Sequence, residues 1–113
     1  MHYDVEITAQ AEQDLRAIYE YIAFELHAPE NANSQLTRLE NAIENLESFP
    51  ERGRRYDTDP WRSRNLRVIP VDNYCVFYIS SKETMVVTII RVIYGGRDIA
   101  KQLDRVAEVI KRG

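Results

Sequence analysis

The stretch NLRVIPVDNYCVFYISSKETMVVTIIRVIY, residues 65–94, decides how this chain folds. It holds three β-branched and aromatic runs, NLRVIPV, YCVFYIS and MVVTIIRVIY, parted only by Asp72-Asn73 and by SKE. Runs of that composition bounded by turn formers are strands, and separators this short join neighbours as hairpins. The stretch therefore predicts a three-stranded antiparallel meander. In the last run, alternation puts Thr88, Ile90, Val92 and Tyr94 on one side and Ile89, Arg91 and Ile93 on the other. Arg91 thus interrupts an apolar face. A charge there needs a sheet edge to snorkel to, an acid to pair with, or a site to line, and the sequence leaves all three open.

Outward from the meander the chain turns helical. Downstream, Gly95-Gly96 ends the strand, and Ile99, Leu103, Val106 and Ile110 predict an amphipathic helix from about Gly96 to Arg112. Its single apolar face and its position make it the least firmly held element. Upstream, ERGRRYDTDPWRSR (51–64) reads as a loop by its Gly, Pro and Asp content. Before it, Ala32, Leu36, Leu39, Ile43 and Leu46 share one stripe, with Pro29 suited to a first helical turn and Phe49-Pro50 as the stop. A further stripe, Ala11, Leu15, Ile18, Ile22 and Leu26, predicts a helix from Ala9 to about Leu26 that Thr8 can cap. The two helices form an αα-hairpin whose stripes need a third surface. HYDVEIT sets Tyr3, Val5 and Ile7 against His2, Asp4 and Glu6, a half-buried strand. The order is β-α-α-β-β-β-α. It describes one α+β domain over residues 1–113, with the helical hairpin on one face of a small, four-stranded, mostly antiparallel sheet.

The totals agree with one such domain. At 113 residues, with 44% hydrophobic and 29% charged residues, the chain can bury a single modest core. No apolar run approaches the ~20 residues of a membrane span, and MHYDVEITAQ is no signal peptide, so the cytoplasm is the expected address. The lone Cys75 excludes an internal disulfide and a multi-cysteine metal site, and within YCVFYI it reads as a small hydrophobe. The net charge of −3 hides an asymmetry. Residues 1–50 carry two arginines against ten acids, and residues 51–113 carry thirteen Lys/Arg against eight acids. Such a split along one domain becomes a split across its surface.

Several chemistries are excluded on residue type. Gly53 stands alone, and Gly95-Gly96 lacks the further glycine and the Lys-Ser/Thr of a phosphate-binding loop. The two histidines, His2 and His27, are not grouped with cysteines or carboxylates as ligands, nor with a nucleophile as its base. No cofactor is implied. The arginines remain. Arg52, Arg54, Arg55, Arg62, Arg64 and Arg67 lie within residues 51–67, with Tyr56 and Trp61 interleaved. Guanidinium forks match phosphate or carboxylate, and neighbouring rings can stack on bases. Two functions use such a set. In RNA cleavage, cations stabilise the charge that develops as the 2′-hydroxyl attacks the phosphate. In a protein-binding module, Arg and Tyr are interface anchors.

Four phrases in order, AEQDLRAIYEYIA, LENAIENLESFPERGR, RNLRVIPVDNYCVFYI and IIRVIYGGRD, resemble the RelE/ParE superfamily of toxins from bacterial type II toxin–antitoxin (plasmid stabilisation) modules. The resemblance runs from about Tyr3 to Leu103 and implies the same β-α-α-β-β-β order. It implies one of two activities. RelE-like members are ribonucleases that cut messenger RNA on the ribosome; ParE-like members bind and stall DNA gyrase. The ribonuclease branch usually has an arginine after the tyrosine of the third strand, where this chain has Tyr74-Cys75, and it is strongly basic, whereas this chain is acidic. The ending, with Arg91 and then Arg97-Asp98, is closer to the ParE pattern. The ParE-like subgroup is therefore favoured, and a non-toxic binding module of the same fold is the further alternative. The resemblance implies a target- or antitoxin-binding surface at Arg62, Arg64, Arg67, Arg91, Tyr94 and Arg97. In a ribonuclease, Arg67, Arg91, Tyr94 and Arg97 would be the catalytic set. The implied partners are a cognate antitoxin that folds on binding, and DNA gyrase or, alternatively, the ribosome and its mRNA. Operator DNA would be reached only through the antitoxin, and no membrane is involved.

Overall fold

The meander predicted over residues 65–94 is the centre of the molecule. The computed structural model describes residues 2–96 and 99–103. In chain order the elements are β1 (Asp4–Ile7), α1 (Ala9–Glu20), a π turn (Tyr21–Glu25), α2 (Pro29–Asn45), β2 (Arg54–Arg55), β3 (Arg67–Val71), β4 (Tyr74–Ser81) and β5 (Val86–Tyr94). Residues 99–103 are helical; the rest of the helix expected to Arg112, with Val106 and Ile110, lies outside the described residues. β3, β4 and β5 pair antiparallel in succession, and β1 joins the outer side of β5 in parallel. The sheet has five strands, not four, in the order β1-β5-β4-β3-β2. The additional strand, β2, lies inside the segment read as a loop and pairs with β3. Two residues are too few to leave an alternating pattern, so only pairing with β3 reveals them.

Local signals place the helices. The Thr8 hydroxyl accepts the Ala11 N–H at 3.1 Å, capping α1, and donates to the Ile89 carbonyl at 2.8 Å, tying the start of α1 to β5. Pro29 opens α2. The stripe of α2 is buried at Ala32, Leu39, Ile43 and Leu46, although the helix ends at Asn45, short of Phe49-Pro50. The stripe of α1 holds through Leu15 and Ile18 but not to Leu26. There the chain enters the π turn, in which the Leu26 N–H reaches back to the Tyr21 carbonyl at 3.0 Å. The extra residue in the turn rotates the chain beyond it, so that Ala23 is buried and Leu26 is exposed. α2 is clasped to the β3–β4 turn by Asp72, which accepts from Arg38 Nε at 2.6 Å and Gln35 Nε2 at 3.0 Å. Those bonds, Arg38's first and Gln35's second, hold the Asp72 carboxyl below its usual range.

Both faces of the sheet are covered. The hairpin face buries Ala11, Leu15, Leu39, Ile43 and Leu46 against Ile69, Val76, Tyr78, Val87, Ile89 and Val92. The opposite face buries Trp61, Leu66, Val68, Phe77, Ile90, Ile93 and Leu103. Simple alternation along β5 fails because Phe77 pairs with Arg91 while Tyr78 pairs with Ile89. Ile90 is the extra residue of a β-bulge, and beyond it every side chain has changed face. The aromatic residues of the arginine-rich loop are also relocated. Trp61 is only 1% exposed, and Tyr56 packs edge-on against Phe77 with centroids 5.9 Å apart. They roof the second face and are not a platform for stacked bases.

Trp61→Ala is expected to destabilise the fold by about 3–5 kcal/mol, as for other fully buried aromatics, measured by urea unfolding. In an NMR titration the Asp72 carboxyl is expected to protonate at lower pH than an ordinary aspartate, and Arg38→Ala to move that midpoint upward.

Candidate functional site

Arg91 meets an acid. Its Nε and Nη2 donate to the two carboxylate oxygens of Asp14 on α1, at 2.7 and 3.0 Å, and the Val92 N–H donates to Oδ2 of the same carboxylate at 2.9 Å. Only 12% of the Arg91 side chain and 11% of the Asp14 side chain are exposed. The contact follows from the strand lengths. β1 covers β5 from Val86 to Ile89, and the Thr8 N–H closes on the Ile89 carbonyl at 3.2 Å. Beyond that point no strand among the described residues lies beside the outer edge of β5, and Asp14 supplies the acceptor. Among the alternatives open in the sequence, pairing with an acid is the one present. Sequence reasoning does not reach Asp14 itself. The only signal for it is an acid beside Leu15 on the edge of the α1 stripe.

The other expected residues are spread over the β2–β3 side and the end of the sheet. Arg67, at the start of β3, donates from Nη1 to the Gly53 carbonyl at 2.7 Å and to the Glu51 carbonyl at 3.3 Å. The Gly53 N–H donates to the buried Tyr78 hydroxyl at 2.8 Å. A Cβ at Gly53 would lie 2.7 Å from the Tyr78 oxygen and 2.9 Å from the Val68 carbonyl oxygen, which is why glycine stands there. Burial pushes the Tyr78 hydroxyl up despite the Gly53 bond, and it pushes the Cys75 thiol up despite nearby Arg54. Both groups stay protonated at neutral pH. Arg64 lies over the Trp61 ring at 5.2 Å, within cation–π range. Arg62 is exposed on the same loop.

At the far end, Tyr94 is 47% exposed and meets Tyr74 edge-on at 5.8 Å. Neither following glycine has a positive φ. The Gly95 N–H donates to the Asn73 carbonyl at 2.8 Å, a Cβ on Gly95 would sit 3.3 Å from that oxygen, and one on Gly96 would require the exposed Tyr94 ring to move. Arg97 lies outside the described residues. The described members of the expected set thus lie on different elements, Arg62 and Arg64 between β2 and β3, Arg67 on β3, and Arg91 and Tyr94 on β5. Arg52, Arg54 and Arg55 stand exposed along the β2 edge. Beside them lies an open groove of about 360 Å³ along β3 and α2, lined by Ala42, Gly53, Val68, Ile69, Pro70 and Val71 together with Arg52 and Arg54.

A family model described as the ParE toxin of the type II toxin–antitoxin system parDE matches residues 5–99. No curated protein sequence matches the chain. Among solved structures, the chromosomal ParDE system of P. aeruginosa aligns at a TM-score of 0.67 with 18% identity, over 82% of this chain and 96% of that one. The RelBE2 toxin–antitoxin complex of Mycobacterium tuberculosis aligns at 0.60 with 21% identity, over 83% and 99%. A doubly substituted E. coli RelE toxin in the free state aligns at 0.61 with 17% identity, over 99% and 98%. At these identities the structural likeness shows a shared fold. Among the described residues, no helix is long and apolar enough to cross a membrane.

Because each partner leaves the other charged and largely buried, Asp14→Ala and Arg91→Ala are each expected to cost about 3–5 kcal/mol of folding stability. The double variant is expected to cost less than the sum of the two, which a double-mutant cycle of urea unfolding curves reads directly.

Proposed function

The chain belongs to the ParE toxin family of type II toxin–antitoxin systems, and from that premise we propose that it arrests growth by binding and inhibiting DNA gyrase until a cognate antitoxin neutralises it. The observation that carries this reading is how its cations and protons are occupied. Metal-free cleavage of RNA needs a base for the 2′-hydroxyl and cations turned toward the phosphate. Arg91 gives its Nε and Nη2 to the two oxygens of Asp14, and Arg67 gives its Nη1 to backbone carbonyls of the Glu51–Gly53 segment. Tyr78 and Cys75 keep their protons. No arginine follows Tyr74. The groups left exposed, Arg52, Arg54, Arg55, Arg62 and Tyr94, are the residue types that anchor protein interfaces. Arg64 and Arg97 complete the proposed contact surface, and Arg91 serves it by fixing β5.

The groove between α2 and β3 supports the antitoxin partner. Its apolar lining and its arginines suit an extended segment with alternating apolar and acidic residues that orders on binding. Operator DNA would then be contacted by the antitoxin, and the toxin would work in the cytoplasm. RelE-like cleavage of ribosome-bound mRNA is the competing reading, favoured by the exposed arginine row along β2.

Expressed alone, the chain is expected to stop growth, and co-expression of the small protein encoded beside it to restore growth. The purified chain is expected to block supercoiling of plasmid DNA by gyrase and to leave mRNA on programmed ribosomes intact. Ribosome-dependent cleavage that is lost in Arg67→Ala would reverse the assignment. Arg62→Ala is expected to weaken gyrase association by about 1–4 kcal/mol, with unchanged melting, as for an interface anchor.

A further inference from the structure

The turn joining the two helices builds a surface that neither core uses. Its i→i+5 bond runs from the Leu26 N–H to the Tyr21 carbonyl at 3.0 Å, and Phe24 lies within the same turn. All three stay in water, with Tyr21 54%, Phe24 67% and Leu26 55% exposed. Two uncommon backbone features hold them there, the π turn and His27, whose φ of 51° lies in the left-handed region. An α-helical continuation would have carried Leu26 along the stripe of Ile18 and Ile22. The chain buries small Ala23 instead and leaves the large side chains out. Local geometry that works against burial marks a surface kept for a partner.

The charges around it specify that partner. Glu20, Glu25 and Glu30 are exposed around the turn, and no Lys or Arg occurs between Arg16 and Arg38. The shape specifies it further. A convex apolar knob fits a pocket in a folded protein, whereas an extended segment is better served by the groove between α2 and β3. We propose that the Tyr21–Leu26 turn is a docking knob that inserts into an apolar pocket, rimmed by lysines or arginines, on the protein through which the toxin arrests growth. The inference rests on the toxin reading, and it adds the acidic end of the molecule to the target contact made by Arg62 while leaving the groove between α2 and β3 to the antitoxin.

The test compares the wild-type chain with Tyr21→Ser/Phe24→Ser/Leu26→Ser and with Glu20→Lys/Glu25→Lys/Glu30→Lys. Growth arrest on induction, rescue by co-expressed antitoxin, melting temperature and binding to purified DNA gyrase are read for each. The serine variant is expected to stay folded and to melt within a few degrees of wild type, since the groups it removes are mostly exposed. It should bind gyrase at least ~100-fold more weakly, as for loss of clustered anchors. It should no longer arrest growth, yet should still bind the antitoxin. The charge-reversed variant, which alters no packed side chain, should bind roughly 10-fold more weakly at low salt, with the gap to wild type closing as salt screens the new repulsion. If the serine variant fails to fold, the charge-reversed variant decides alone, and full arrest by it overturns the proposal. Full arrest by a folded serine variant, or loss of antitoxin rescue in place of arrest, also overturns it and leaves the toxin reading standing. A wild-type chain that does not slow growth overturns both.

Discussion

Where β1 stops, β5 carries on through Tyr94 with no strand among the described residues on its outer edge and an arginine in its path, and a single carboxylate resolves both problems. Asp14 takes the Arg91 guanidinium with both oxygens and the Val92 N–H with one of them. Unpaired strand edges and unpaired buried charges are each costly, so this one contact removes two penalties at the same place. It also sets geometry. α1 is pinned to β5 at its first turn by Thr8 and again at Asp14, which fixes how the helix lies across the sheet. α2 packs on α1 and is pinned in turn by Asp72 at the β3–β4 turn. The direction in which the helical hairpin presents its tip thus depends on the Asp14 junction.

Because residues 1–50 carry ten of the eighteen acids and only two arginines, while the β2–β3 side carries most of the exposed arginines among the described residues, the molecule has two chemically different ends. Apart from exposed Arg16 on α1, the arginines among the described residues fall into two sets. Arg91, Arg67, Arg64 and Arg38 are occupied by Asp14, backbone carbonyls, the Trp61 ring and Asp72. Arg52, Arg54, Arg55 and Arg62 face water. A chain whose total charge is slightly negative can therefore still offer a cationic face, and long-range attraction to an acidic partner acts there whatever the net charge.

The second face of the sheet shows how a short chain covers two surfaces with one pair of long helices. The segment between β2 and β3 folds Tyr56, Trp61 and Leu66 over Val68, Phe77, Ile90 and Ile93, and Leu103 from the final helix completes the cover. A segment whose composition is that of a surface loop thereby does the work of a helical layer. Two polar atoms are buried in the course of this, Trp61 Nε1 and Arg64 Nη1, with no hydrogen-bond partner among the described residues. The stacking of Arg64 on the indole offsets part of that cost.

Short-range physics is legible in the order of residues. The three β-rich runs and their short separators specify the meander, Thr8 and Pro29 specify where the helices begin, and period-3.6 stripes specify which faces of α1 and α2 are buried. Matching phrases along the chain are enough to indicate the superfamily, because they report the same local pattern. Features that depend on distant or single residues emerge only when the elements pack. β2 exists only because β3 lies beside it, and Ile90 bulges only because β4 and β5 slip by one residue, which reverses the face of the rest of β5. A helix whose stripe looks continuous to Leu26 breaks into a π turn, an effect of packing that periodicity does not encode. The candidate site divides in the same way. Residue type is enough to single out Arg62, Arg67, Arg91 and Tyr94. Which of them are held and which are exposed is settled by partners such as Asp14, 77 residues from Arg91 along the chain, because the strength of a charge pair depends on distance in space and not on separation in sequence.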